Sequence, residues 1–220
     1  MRVLAVDTTT ARGSLAIVAE EGLLAEARVV SAAGHSRWIL PAVDALLRGL
    51  GVEPDELDAF AVTTGPGSFT GLRVGLSSVQ GLAIASGRPC VGLSVLDTLA
   101  WAASGAAERI VTAMDAFRGE VYWALYDRRA SPCGDARLGE LEEALEAAPA
   151  GAAFVGDVVA AQRPRIEGRI AGALFPELDL HLAATLGRAA LARMAAGKTT
   201  AASALRPLYL RAADIRPSRP

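Results

Sequence analysis

The stretch Thr63-Thr64-Gly65-Pro66-Gly67-Ser68-Phe69-Thr70-Gly71-Leu72-Arg73-Val74-Gly75 constrains the fold more than any other part of the chain. It follows an apolar run, Ala59-Phe60-Ala61-Val62, that reads as a buried strand. It opens a segment, Leu72 to Ala85, that carries almost no charge. A strand, a tight glycine turn and a helix N-terminus together make an anion site, because free backbone N–H groups and the positive end of the helix dipole point the same way. The helix behind the turn is apolar on nearly every side, so it must be covered on more than one of them. The first property suggests a nucleotide and the second a protein partner.

A chain of 220 residues, 52% hydrophobic and 21% charged, is long enough for one large domain or two small ones without disulfides. Its net charge of -2 shows no basic stripe that would hold a phosphate backbone unaided. Cys90 and Cys133 are far apart and in no metal spacing, and His35 and His181 are likewise unpaired. The N-terminal run reaches Asp7 after four apolar residues, too short for a signal peptide, and no apolar stretch reaches the roughly 20 residues of a membrane span. A reducing cytoplasm and no membrane are expected.

Apolar runs alternate with helical patterns. Val3–Val6, 14–19 and 24–30 read as a strand and its hairpin neighbours, turning at Glu20-Glu21-Gly22. Residues 36–50 and 70–86 read as helices around the strand 59–63; strand 90–93 and a helix from Ser94 follow. Beyond Gly105, the strands 109–114, 120–126 and 152–155 and the helices 138–147 and 182–196 are expected, with an apolar segment 205–210 and a fraying tail from about 212. Each half starts with a strand ending in aspartate, Asp7 or Asp115, and then a glycine hairpin. That weak repeat predicts two copies of one α/β unit, an N-terminal lobe over 1–104 and a smaller C-terminal lobe over 105–220.

Several chemistries fit these motifs, each beside a structural alternative. The glycine loop is not a Walker A loop, because Leu72-Arg73 follow Gly71, nor a dinucleotide fingerprint, because Thr70 stands where glycine is needed. It is either a phosphate cradle or a sharp turn in which Thr70 caps the helix and Gly71 and Gly75 admit a close neighbour. Asp7 with Thr8-Thr9-Thr10 could orient a hydrated magnesium ion and bond a phosphate, or it could close a hairpin. Asp7 and Asp115 facing each other across a cleft would suit an ATPase; two turn aspartates give the same pattern. His35 at a helix start reads as a cap or surface residue, and Ser68 lacks the Gly-x-Ser-x-Gly elbow of a nucleophile. The two cysteines read as packing residues.

The helices speak for a partner. On 36–50, Ile39, Leu40, Val43, Leu46, Leu47 and Leu50 make one core face, while Trp38, Ala42, Ala45 and Gly49 make a second apolar stripe. On 70–86, Gly71, Gly75, Ser78 and Leu82 form a flat stripe. A helix bundle with a second protein would bury the spare stripes, and a standard interface takes about 800 Å² per partner. Covering by the second lobe is the alternative.

Met1–Thr10 with Gly13-Ser14, His35-Ser36 with Leu40-Pro41 and Leu46-Leu47, the signature 64–75, and Pro207-Leu208-Tyr209-Leu210-Arg211 resemble the TsaB (YeaZ-type) family. The resemblance is strongest through residue 100 and weak over 128–180. It implies an α/β, actin-like (ASKHA) fold of two RNase H-like lobes, with mixed sheets flanked by helices. It implies a non-catalytic scaffold for forming N6-threonylcarbamoyladenosine at position 37 of ANN-decoding tRNAs. The partner would be a TsaD-type transferase, with a TsaE-type ATPase recruited and tRNA met only within the complex; alone, the chain would homodimerise. TsaD-type enzymes carry a His-x-x-x-His metal pair that this chain lacks. The resemblance therefore implies no catalytic residue, no metal ligand and no required cofactor. ATP or ADP with Mg would bind weakly, or only in the complex, at the remnants Asp7, Thr8, Thr9, Gly65, Gly67 and Ser68. The partner surface would comprise Trp38, Ala42, Ala45, Gly71, Leu72, Gly75, Ser78, Val79 and Leu82. Aspartate at Ala42 or Gly75 is then expected to break the heterodimer and spare the fold. An actin-like ATPase or small-molecule kinase using Asp7, Asp115 and the glycine loop is the alternative. A peptidase, as related proteins have been described, finds no nucleophile–base pair here.

Overall fold

Strand β1 (Arg2–Asp7) pairs antiparallel with β2 (Arg12–Ala19), which pairs antiparallel with β3 (Gly22–Val30). Helix α1 (Ile39–Leu50) leads to β4 (Ala59–Thr63), then α2 (Phe69–Ser86) to β5 (Cys90–Leu93), both strands parallel within the sheet β3-β2-β1-β4-β5. Helix α3 (Val95–Ala102) carries the chain to a second sheet. There β6 (Arg109–Asp115), β7 (Val121–Asp127), β8 (Arg137–Gly139) and, after α4 (Leu141–Ala147), β9 (Ala153–Val155) lie in the order β8-β7-β6-β9. Helices α5 (Val159–Arg169) and α6 (Ala183–Ala195) complete the chain. This computed structural model describes residues 1–31 and 34–211. The tail expected to fray from about 212 lies outside the described residues.

The expected repeat is visible in the strand order. In both sheets the first strand pairs antiparallel with the second and parallel with the strand beyond the next helix. Strand β1 is buried on both faces, as its unbroken apolar run requires. Leu4 and Val6 point to Ile39, Val43 and Leu47 of α1 and to Leu72, Leu76 and Val79 of α2. Val3 and Ala5 point to α6 on the other face.

The helices do not respect a division at residues 104 and 105. Helix α3 packs on the second sheet, where Leu96 and Leu99 meet Ile110, Tyr122 and Tyr126. Helix α6 returns to the first sheet. Size complementarity accounts for the exchange. The face of the first sheet that carries Ala5, Ala16, Ala59 and Ala61 is shallow and takes the small-residue face of α6. A Cβ on Gly187 would stand 2.5 Å from Val18 Cγ2. Among the described strands and α-helices, two have no counterpart in the sequence reading: β8, which is only 3 residues long, and α5, whose Pro164 sits inside the helix.

Candidate functional site

The cap of α2 falls on Ser68, not Thr70. Ser68 Oγ accepts the Gly71 N–H at 3.3 Å and its carbonyl accepts the Leu72 N–H at 2.8 Å. The turn before it is zipped onto the β1–β2 loop. Ser68 N–H donates to Thr9 O at 2.7 Å, and a Cβ on Gly67 would collide with that same carbonyl. Gly65 is buried, and its carbonyl accepts the Val95 N–H at 2.7 Å.

Asp7 lies beneath this zipper. Its Oδ1 accepts from the Thr9 N–H at 3.2 Å, the Thr9 hydroxyl at 2.7 Å and the Thr63 hydroxyl at 2.7 Å. The side chain is fully buried, and Oδ2 has no hydrogen-bond partner among the described residues. Loss of hydration drives the pKa up against the pull of those bonds. Thr8 is buried beside it, donating to Gly71 O at 2.8 Å. Of the six expected nucleotide-site residues, only Thr9, Gly67 and Ser68 reach the cleft between the two sheets. Asp7, Thr8 and Gly65 are spent on holding the loops together.

The cleft itself measures about 540 Å³. Asp115 and Asp157 line it from the second lobe; Arg12, His35, Thr10 and Thr70 line it from the first. Asp157 Oδ1 accepts the Asp115 N–H at 2.9 Å, and Asp115 Oδ1 accepts the Phe117 N–H at 2.8 Å. Burial, then repulsion from Asp115, lifts the Asp157 pKa against hydrogen bonding and Arg12. The pair of acids across the cleft expected for an ATPase is therefore not Asp7 with Asp115, because Asp7 is sealed away; both cleft aspartates come from one lobe. Sequence reading missed Asp157, since no motif surrounds it. His35 is buried rather than exposed. Trp38 Nε1 donates to its Nδ1 at 3.0 Å and its Nε2 donates to Thr10 O at 2.7 Å, which fixes the neutral Nε2–H tautomer. Among the described residues, no group of three or more His, Cys, Asp or Glu side chains could hold a metal.

The expected partner surface divides in two. Gly71, Leu72, Gly75 and Val79 are buried within the protomer, so no partner reaches them. An all-apolar helix does not say which side faces its own sheet. Here the flat glycine side is pressed by the Thr8 backbone and side chain, against which a Cβ at Gly71 or Gly75 would collide. Aspartate at Gly75 would thus damage the fold itself, which corrects the expectation that it would spare it. Ala45 is exposed, and Trp38, Ala42, Ser78 and Leu82 are half-buried. Beside them Leu40 is 55% and Ile84 69% exposed. Both helices lie on one face of the first sheet and touch each other.

Two RNase H-like lobes that exchange helices around a central cleft define the actin-like class of α/β proteins. The activator of 2-hydroxyisocaproyl-CoA dehydratase from Clostridium difficile shares this fold, with a TM-score of 0.56 at 10% identity over 95% of this chain and all of that one. The match to YeaZ from Pseudomonas aeruginosa is much tighter, with a TM-score of 0.79 at 32% identity, covering 95% of this chain and 99% of that one. The family model for TsaD, tRNA N6-adenosine threonylcarbamoyltransferase, matches residues 29–164. The tRNA threonylcarbamoyladenosine biosynthesis protein TsaB of Escherichia coli K12 is 40% identical over 131 residues, which span 58% of this chain and 56% of that protein. Thus this alignment extends over little more than half of that curated relative. The chain belongs to the TsaB (YeaZ-type) family.

Proposed function

We propose that this chain is a non-catalytic scaffold in the formation of N6-threonylcarbamoyladenosine in tRNA, and that it docks a TsaD-type transferase through the outward faces of α1 and α2. The observation that carries the reading is the set of apolar side chains that α1 and α2 leave exposed, Leu40, Ala45 and Ile84, or half-buried, Trp38, Ala42, Leu46 and Leu82. Large exposed side chains on two adjoining helices leave unmet the burial that such residues ordinarily find. The TsaD family model matching residues 29–164 supports a related partner. The cleft supports a non-catalytic role: Asp7, the carboxylate at the end of the first strand, is locked into a structural network.

The partner supplies the transferring site in this reading, and tRNA engages the complex. A TsaE-type ATPase joins it, and the same apolar faces pair two copies of this chain when the partner is absent. ATP, ADP and Mg are not required by this chain, and the setting is cytoplasmic; among the described residues no helix is long and apolar enough to cross a membrane. Reconstitution tests the reading. The TsaD-type subunit should modify tRNA with this chain present and fail without it. Undiminished modification without the chain, or turnover of Mg-ATP by the chain alone, would favour the actin-like ATPase or kinase.

A further inference from the structure

Among the described residues the backbone passes between the lobes at two tight joints. Leu93 is buried with the first lobe and Val95 with the second. On the return, Leu182 is buried with the second lobe and Ala183 with the first. Helices α3 and α6 start at these joints and pack against each other. Single residues at the ends of elements are where rigid bodies hinge.

A third crossing is built differently. Beyond α6 the chain runs back along the first lobe, where Cys90 and Thr200 exchange two backbone hydrogen bonds of 2.8 Å. Ala202 and Leu205 are buried in the core beneath α2, and Gln80 Nε2 donates to Ala202 O at 2.9 Å. Residues 206–211 then cross to the second lobe without helix or strand. Midway the Leu208 N–H donates to Thr64 O at 2.7 Å. Leu210 packs on the second-lobe core, and Arg211 donates to Ala116 O at 3.1 Å and to the Glu120 carboxylate. The two ends are unequal. Leu205 is 4% exposed, whereas Leu210 is half-buried and the Arg211 and Glu120 side chains are 26% and 35% exposed. A part-exposed ion pair and one half-buried leucine hold weakly, so this end opens while the other stays rooted. Arg73 of α2 steadies the crossing: it donates to the Tyr209 hydroxyl at 3.0 Å and lies 3.8 Å over the Phe69 ring, which is 5.5 Å from that of Tyr209.

We propose that residues 206–211 are a releasable latch between the lobes. Rooted in the first lobe and clipped to the second by Leu210 and Arg211, they limit how far the lobes open about Ser94 and Leu182, and Arg73 sets their grip from α2. The cleft lies between the parts so held, since Asp115 and Phe117 of the clipped hairpin are among its walls. The latch acts on the cleft whether or not a partner docks on α2.

Double electron–electron resonance on the full chain tests it, with spin labels at Ser36→Cys and Ala161→Cys, exposed sites on opposite lobes, in a Cys133→Ser background. The intact latch should give a narrow distance distribution. Arg211→Gln should lengthen and broaden it, and Glu120→Gln should do the same. The double variant should shift it no further than either alone, because both remove one pair. Arg73→Ala should shift it in the same direction by less. Arg206→Gln should leave it unchanged, since that guanidinium bonds the carbonyls of Ser203 and Leu205 at the rooted end. Raised salt should lengthen the distribution of the intact chain and spare that of Arg211→Gln, because screening acts on the pair. Melting curves check that each variant is folded. Unchanged distances in folded Arg211→Gln and Glu120→Gln overturn the proposal, and so does an additive shift in the double variant.

Discussion

Asp7 and Asp115 end the first strands of two sheets with one strand pattern, yet the protein treats them oppositely. Asp7 is sealed under the zipped glycine turn and gathers three hydrogen bonds on one oxygen. Asp115 stands exposed at the cleft and ties down only its own hairpin. The difference lies in what packs against each hairpin. In the first lobe α2 drives Gly67, Gly71 and Gly75 against the β1–β2 loop. In the second lobe no glycine of the corresponding hairpin is pressed in this way, and a Cβ on Gly119 would meet nothing within 4 Å. One copy of the unit buries its aspartate beneath a packed glycine turn, and the other leaves its aspartate at the cleft.

The glycines give the widest separation. Gly71→Ala should cost about 3 kcal/mol in urea unfolding, because its Cβ enters the Thr8 carbonyl. Gly119→Ala meets no atom and should cost about 1 kcal/mol, for its φ of 83° alone. Equal costs would erase the contrast. The aspartates come next. Asp7→Ala strands the buried Thr9 and Thr63 hydroxyls and should cost about 2–3 kcal/mol, against roughly 0.5 kcal/mol or less for Asp115→Ala, when both are compared by thermal melting.

Acidity sharpens the same contrast. Burial raises the Asp7 pKa above the ordinary 3.8, so the folded chain keeps that proton to higher pH than the unfolded chain does. Its contribution is full below the ordinary value and is lost as pH climbs through the raised one. Asp7→Asn keeps the Oδ1 acceptor and should flatten that decline in stability measured across mildly acidic to neutral pH. Asp157, also raised, should leave a residual slope of the same sign. A slope unaffected by Asp7→Asn would show that Asp7 is not the group responsible. The smallest effect concerns the thiols. Cys133 is exposed and should take one equivalent of a thiol reagent at pH 8, while Cys90, buried with its pKa pushed up to about 11, should stay unlabelled until unfolding.

Much of this architecture is legible in the residues. The strands of the first half are apolar runs between glycine turns, and Ser94 caps α3 where the pattern breaks. Other features are hidden for physical reasons. Helix α5 is obscured by Pro164 and a polar composition, and is held by few buried side chains such as Val159 and Ile166. The burial of Gly71 and Gly75 could not be read, because small residues suit a pressing loop as well as a crossing helix. The sealing of Asp7 escapes for a similar reason: its local motif matches that of Asp115, and only the tertiary approach of Ser68 and Thr63 distinguishes them.

The account turns on the outward faces of α1 and α2. Co-elution of the TsaD-type subunit with the wild-type chain, with Ala42→Asp and with Leu40→Asp/Ile84→Asp on a sizing column tests this directly, with circular dichroism as the check on folding. A complex formed by the wild type and reduced at least tenfold by both variants, with their spectra unchanged, is the predicted result. Complexes of undiminished yield from both folded variants would contradict it.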